Sequence, residues 1–105
     1  MPAVGDVFEE LSTIANNAWL TIQPASGHEA VITYITVNGG GKVNVYHTDG
    51  TLYSKIINLE AAGGDAMPFA GQGFGITNAH YLLVENKNGA DLIIGFTGSY
   101  TKVTA

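Results

Sequence analysis

The chain has 105 residues, among them nine acids, four lysines, no arginine and no cysteine, for a formal charge of −5. That length fits one domain around a single two-layer core. The lack of cysteine excludes a disulfide scaffold and thiolate metal sites, and the acidic balance argues against a surface that grips nucleic-acid phosphates or an anionic membrane.

Charged residues make up 12% of the chain, about half the usual ~25%. Much of the surface must therefore be neutral or apolar, and suited to being covered by a partner. The chain begins without a basic region leading into an apolar core, and no apolar run approaches the ~20 residues that span a bilayer. A soluble protein with no membrane partner is expected.

Residues 1–15 are ambiguous. Val7, Leu11 and Ile14 share a helical face, and Asp6 with Glu9 reads as a cap with an acid in the first turn, yet ten residues are marginal for a helix. The segment fits an N-terminal arm, a short helix or an edge strand, set against a single β-sandwich domain over 16–105. From Ala18 the pattern is clear. Ala18, Leu20 and Ile22 alternate with Trp19, Thr21 and Gln23 as in a strand, and Pro24 to Gly27 turns the chain. Val31 to Val37, VITYITV, is the longest β-branched and aromatic run and predicts a central strand.

Asn38 to Lys42, with three consecutive glycines, reads as a hairpin connection. Val43 to His47 and Leu52 to Leu59 are the next strands, joined at Asp49-Gly50. Glu60 to Ala70 is a long connection suited to a crossover between sheets or a contact loop. Gly71 to Thr77 is a short, glycine-weakened strand. Tyr81 to Glu85 and Leu92 to Phe96 are firm strands, and the tail from Gly98 extends the last one or hangs free. Seven to eight strands at spacings near ten residues predict an all-β antiparallel sandwich, with a jelly roll among the arrangements allowed.

Residues that carry chemistry form no recognised catalytic pattern. His28, His47 and His80 lie in separate turns or strand ends without a metal-binding spacing. Ser26 and Ser99 lack the G-x-S-x-G elbow, and Glu60, Asp65, Glu85 and Asp91 are carboxylates such as any acidic chain offers. Gly71 to Gly75 lacks the lysine and the following helix of a phosphate loop, and Asp49, Asp65 and Asp91 lack calcium-loop spacing. No enzyme activity, cofactor or metal is expected.

The aromatic residues are more informative. Trp19, Tyr46, Tyr53 and Tyr81 suit either a sugar-stacking platform or a subunit interface. By strand alternation Val31, Ile35 and Val37 are expected to oppose Ile32 and Tyr34, and Leu92, Ile94 and Phe96 to oppose Ile93, which leaves strands apolar on both faces. A second apolar face needs a neighbour, so a homo-oligomer is expected, with Trp19, Tyr34, Tyr46, Tyr53, Phe69 and Phe74 as interface candidates.

Several stretches together resemble a group of small proteins encoded in tailed-phage and prophage genomes. They are L-x-I-Q-P-x-S-G-x-E from Leu20 to Glu29, YHTDGT from Tyr46 to Thr51, Thr77-Asn78 with Tyr81-Leu82 and Glu85-Asn86, and LIIGF-x-G from Leu92 to Gly98. The resemblance implies a β-sandwich located in the virion, most simply a head decoration protein that stabilises the capsid. It would assemble as a homo-oligomer, with a trimer favoured, against the major capsid protein or another virion protein. Val4, Val7, Phe8 and Leu11 would then belong to an arm that grips the shell. The alternative is a glycan-binding or receptor-binding module of a fibre or tail.

Overall fold

The computed structural model describes residues 2–59, 64–68 and 73–104. Its strands are β1 (Val7–Ile14), β2 (Trp19–Ile22), β3 (Glu29–Gly41), β4 (Val43–Thr48), β5 (Tyr53–Asn58), β6 (Gly64–Pro68), β7 (Phe74–Thr77), β8 (Tyr81–Asn86) and β9 (Leu92–Lys102). One sheet runs β1-β9-β3-β6, with β7 also on β3, and the other runs β2-β8-β4-β5. On β3, residues 29–32 pair with β7 and residues 34–41 with β6, so these two short strands share one lane. All pairings are antiparallel. The eight resulting lanes follow the jelly-roll order, because the chain alternates between sheets except where β4 and β5 form a hairpin.

The core lies between the sheets. It is built from Leu20 and Ile22 on β2, Ile32, Ile35 and Val37 on β3, Val43 and Val45 on β4, Leu82 and Val84 on β8, and Leu92, Ile94 and Phe96 on β9, with Ala30 and Ile76. These are the β-branched and large apolar positions of each strand, removed from water as the alternation of side chains requires.

The helix considered for residues 6–15 does not form. Residues 7–14 are an edge strand that pairs along its whole length with β9, from Val7 opposite Ser99 to Ile14 opposite Leu92. Eight residues of ladder with a strand already in place outweigh a short helix whose nucleation is costly. Asp6 caps a turn instead, its Oδ2 accepting from the Ala3 amide at 2.9 Å. Residues 7–14 are thus part of the sandwich rather than a free arm.

Asn38 to Lys42 is not a hairpin. β3 continues to Gly41, and Lys42 alone separates it from β4, which lies in the other sheet. The glycines turn this corner. Gly40 has φ +71°, and a Cβ on Gly41 would lie 2.3 Å from Val37 Cγ1 and 2.7 Å from Leu92 Cδ1. The expected connection over 60–70 contains β6, and the chain changes sheets between β5 and β6. Residues 60–63 and 69–72 lie outside the described residues.

A bulge changes the reading of β3. Ile32 pairs with Gly98 and Tyr34 with the adjacent Thr97, which leaves Thr33 as an extra residue. Its Oγ1 donates to the Thr97 carbonyl at 3.1 Å. The alternation inverts there, so that Ile32, Ile35 and Val37 are all buried. The expected opposition of Ile35 and Val37 to Ile32 is therefore wrong, and Tyr34 is the large exposed side chain of this strand. On β9 the alternation is unbroken, with Ile93 exposed between buried Leu92 and Ile94.

Candidate functional site

The outer face of the β2-β8-β4-β5 sheet carries an aromatic cluster. Burial of Leu20 and Ile22 turns Trp19 outward on edge strand β2. Tyr46 on β4 and Tyr53 on the opposite edge strand β5 share that face. The three side chains lean across the sheet until the Trp19 ring lies 5.4 Å from Tyr46 and 6.2 Å from Tyr53, and Tyr46 lies 6.5 Å from Tyr53. Trp19 is 43% and Tyr53 55% exposed. Inter-ring contacts of this kind contribute about 0.5–1.5 kcal/mol each beyond area burial.

Polar groups border the rings. Tyr46 Oη donates to Glu85 Oε1 at 3.2 Å, and Lys87 Nζ stands 3.7 Å from Glu85 Oε2. Lys55 Nζ lies 5.7 Å from the Tyr46 ring centroid. The rings are inclined at 43°, 45° and 88° to one another, so they make a ridged surface rather than one flat stacking plane.

The outer face of the other sheet is also apolar in part. Cross-strand partners share a face, so Val7, Glu9, Leu11 and Thr13 on β1 lie beside Ser99, Thr97, Gly95 and Ile93 on β9. Thr36 and Tyr34 continue the same rows on β3. Leu11, at 72% exposure, and Val7, Tyr34 and Ile93 are its exposed large side chains. Gly95 sits in the middle without a side chain, because a Cβ there would lie 2.8 Å from Leu11 Cδ1 and 2.9 Å from both Glu10 O and Thr36 Oγ1. A solvent-open depression of about 510 Å³ is lined by Glu9, Glu10, Leu11, Thr36, Phe96 and Thr97.

At the tip of the β4–β5 hairpin, Asp49 Oδ1 accepts from the amides of Thr51 at 2.8 Å and Leu52 at 2.7 Å. These two bonds hold its carboxyl below the ordinary 3.8. His47 and His80 rings are 6.2 Å apart beside it, but among the described residues no three His, Cys, Asp or Glu side chains converge on a metal position. His28 lies elsewhere, buried, with Nδ1 accepting from the Thr104 amide at 3.1 Å.

Of the interface candidates, Trp19, Tyr46 and Tyr53 come together and Tyr34 lies on the opposite outer face. Phe74 is half-buried against the core and edge-on to His47, and Phe69 lies outside the described residues. Tyr81 stands at the end of β8, opposite Thr48 and without a ring contact to the cluster. Of the residues assigned to an arm, Val4 is exposed in the turn before β1, and Val7 and Leu11 point outward. Phe8 turns inward and packs on Phe96 at 5.0 Å and Tyr100 at 5.1 Å, so it is a core-side anchor of β1. Sequence reasoning did not find the close packing of Leu11 and Thr36 over Gly95 or the exposed Leu52 of the hairpin tip; a glycine between apolar residues of a firm strand was the available signal for the first.

The fold and surfaces define a jelly-roll β-sandwich with exposed aromatic and aliphatic residues on both outer faces. Compared with known proteins, the chain matches no family model and no curated protein.

Proposed function

We propose that this chain is a structural protein of a tailed-phage virion, a head decoration protein that stabilises the capsid by assembling with copies of itself on the shell. The observation that carries this reading is the presence of large exposed side chains on both outer faces at once, Trp19 and Tyr53 on one and Val7, Leu11, Tyr34 and Ile93 on the other. Aromatic groups of this kind dominate interface energetics once water is excluded around them. The low charge content suits surfaces that end up covered. The resemblance of the Leu20–Glu29 and Leu92–Gly98 segments to phage-encoded proteins supports the same reading, as does the jelly roll, an architecture used by viral capsid domains. That last support is an analogy of fold.

In this role β1 belongs to the seat. It is tied to β9 by its ladder and to the core by Phe8, and it offers Val4, Val7 and Leu11 to the major capsid protein or a neighbouring copy. The test is quantitative mass spectrometry of purified phage particles from the strain that carries the gene. Many copies per particle support a shell role; a few copies point to a tail or fibre, and absence from the particle rejects the proposal.

The Trp19–Tyr46–Tyr53 cluster favours a second reading, a glycan-binding module of a fibre or tail. The inclined rings suit single sugar faces against Trp19 rather than an extended flat chain. A glycan array that returns binders lost in Trp19→Ala would support it, and an array without binders would remove it.

A further inference from the structure

We infer that β1 is a strand-pairing edge, which adds to the β1 of a second copy in antiparallel register about a two-fold axis. This inference rests on the proposed self-assembly and names the backbone edge through which two copies join. The two sheets have four outer lanes, and three of them carry features that keep a sheet edge from pairing: short strands, lysines or bulges. β2 is four residues long, β5 carries Lys55 and an extra residue at Ile56, and the shared lane of β6 and β7 is split into strands of five and four residues. β1 has none of these. It runs for eight residues without lysine, proline, glycine or bulge, and among the described residues no strand pairs with its outer side. Its charged residues are Glu9 and Glu10, and these choose the register.

The ladder to β9 decides which residues offer their backbone to a neighbour. The Tyr100 amide donates to Asp6 O at 3.0 Å, and the same register continues from Val7 opposite Ser99 to Ile14 opposite Leu92. Hydrogen-bonded pairs alternate along an antiparallel ladder. Phe8, Glu10, Ser12 and Ile14 therefore bond to β9, while Val7, Glu9, Leu11 and Thr13 turn N–H and C=O to the open side. Two such edges pair only where these odd-numbered residues face one another. Of the registers that do so, one sets Glu9 against the partner's Glu9 and another sets Glu10 against the partner's Glu10, and like charges directly opposite are unfavourable. The longest overlap free of such pairs sets Leu11 against the partner's Leu11, Glu9 against the partner's Thr13, Glu10 against the partner's Ser12 and Phe8 against the partner's Ile14. It gives Glu10 the kind of partner it already takes within the chain, where Ser12 Oγ donates to Glu10 Oε2 at 2.7 Å. It also covers Leu11, the most exposed large side chain of β1.

The test has two arms, with circular dichroism to check that each variant is folded. In light scattering, wild-type chain should approach twice the 11.0 kDa chain mass. Leu11→Lys sets two lysines opposite each other at the two-fold axis and should run at chain mass. Tyr34→Lys, on the same outer face but away from the edge, should run as wild type does. The second arm reads the register. The chain has no cysteine, so Glu10→Cys and Ser12→Cys introduce its only thiols. These positions meet as a non-hydrogen-bonded pair, with Cα atoms about 4.5 Å apart, a span that a disulfide bridges. In a glutathione redox buffer the two variants mixed should form a disulfide-linked dimer, and each alone should stay at chain mass. Cross-linking of Glu10→Cys to itself, or none in the mixture, overturns the register. If wild type associates but Leu11→Lys associates equally, or Tyr34→Lys also falls to chain mass, pairing through β1 is wrong while self-assembly stands. If wild type itself stays at chain mass, both are wrong.

Discussion

Asn86, fully buried at the end of β8, donates through Nδ2 to the carbonyl of Ile14 at 2.8 Å, joining the last residue of β1 in one sheet to the other sheet. The same amide group donates to Ala90 O at 2.9 Å, and its Oδ1 accepts from the Asn88 amide at 2.8 Å. The backbone of Asn86 also exchanges bonds with Asn17 and Ala18. Replacement by leucine would strand two carbonyls and an amide without side-chain partners. Asn86→Leu should cost about 2–4 kcal/mol, read as a lowered urea midpoint with an unchanged slope.

Gly98 is the least replaceable strand glycine. A Cβ there would lie 2.0 Å from Val31 O and 2.9 Å from Ile32 Cα, both backbone atoms of the central β3 strand at its bulge. Gly98→Ala must push β3 and β9 apart and should cost about 3 kcal/mol or more. Gly75→Ala is the control. That glycine also pairs with β3, but a Cβ on it meets nothing within 4 Å, and the substitution should be neutral or stabilising by up to about 1 kcal/mol. Thermal melts of the two variants side by side read the contrast.

Asp49 gives the hairpin a pH dependence of known sign. Its folded-state pKa is depressed by the amides of Leu52 and Thr51, so its contribution is complete above the ordinary 3.8 and is lost as pH falls through the lower folded value. The melting-temperature difference between wild type and Asp49→Ala should be constant at neutral and mildly acidic pH and should shrink below that value. A difference that grows on acidification would contradict the assigned bonds.

His28 anchors the end of the chain. Its ring stands edge-on to Tyr100 at 5.9 Å while Nδ1 holds the Thr104 amide at 3.1 Å. His28→Phe keeps the ring contact and removes the acceptor. Amide exchange at Thr104 should accelerate, with a change in global stability of about 1 kcal/mol. Unchanged exchange at Thr104 would show that the bond does not hold the tail.

The strands and the all-β class were readable because each buried strand carries its own alternation, as in Leu20 and Ile22 against Trp19 and Thr21. The bulge at Thr33 was not, since VITYITV places apolar residues on both faces at unbroken alternation and the extra residue is set by the register of β9. The glycines at 39–41 marked a change of direction, but whether the next strand joins the same sheet depends on packing far from that point. Trp19, Tyr46 and Tyr53 were each visible as aromatic candidates. Their meeting across the face follows from a strand order that no local pattern contains. Phe8 illustrates the converse: its apolar character suggested an outward grip, while its parity on β1 directs it towards Phe96.

Self-assembly is tested most directly by light scattering of the wild-type chain at micromolar concentration. The predicted result is a mass that is a multiple of 11.0 kDa. A single species at 11.0 kDa across the concentration series would contradict it.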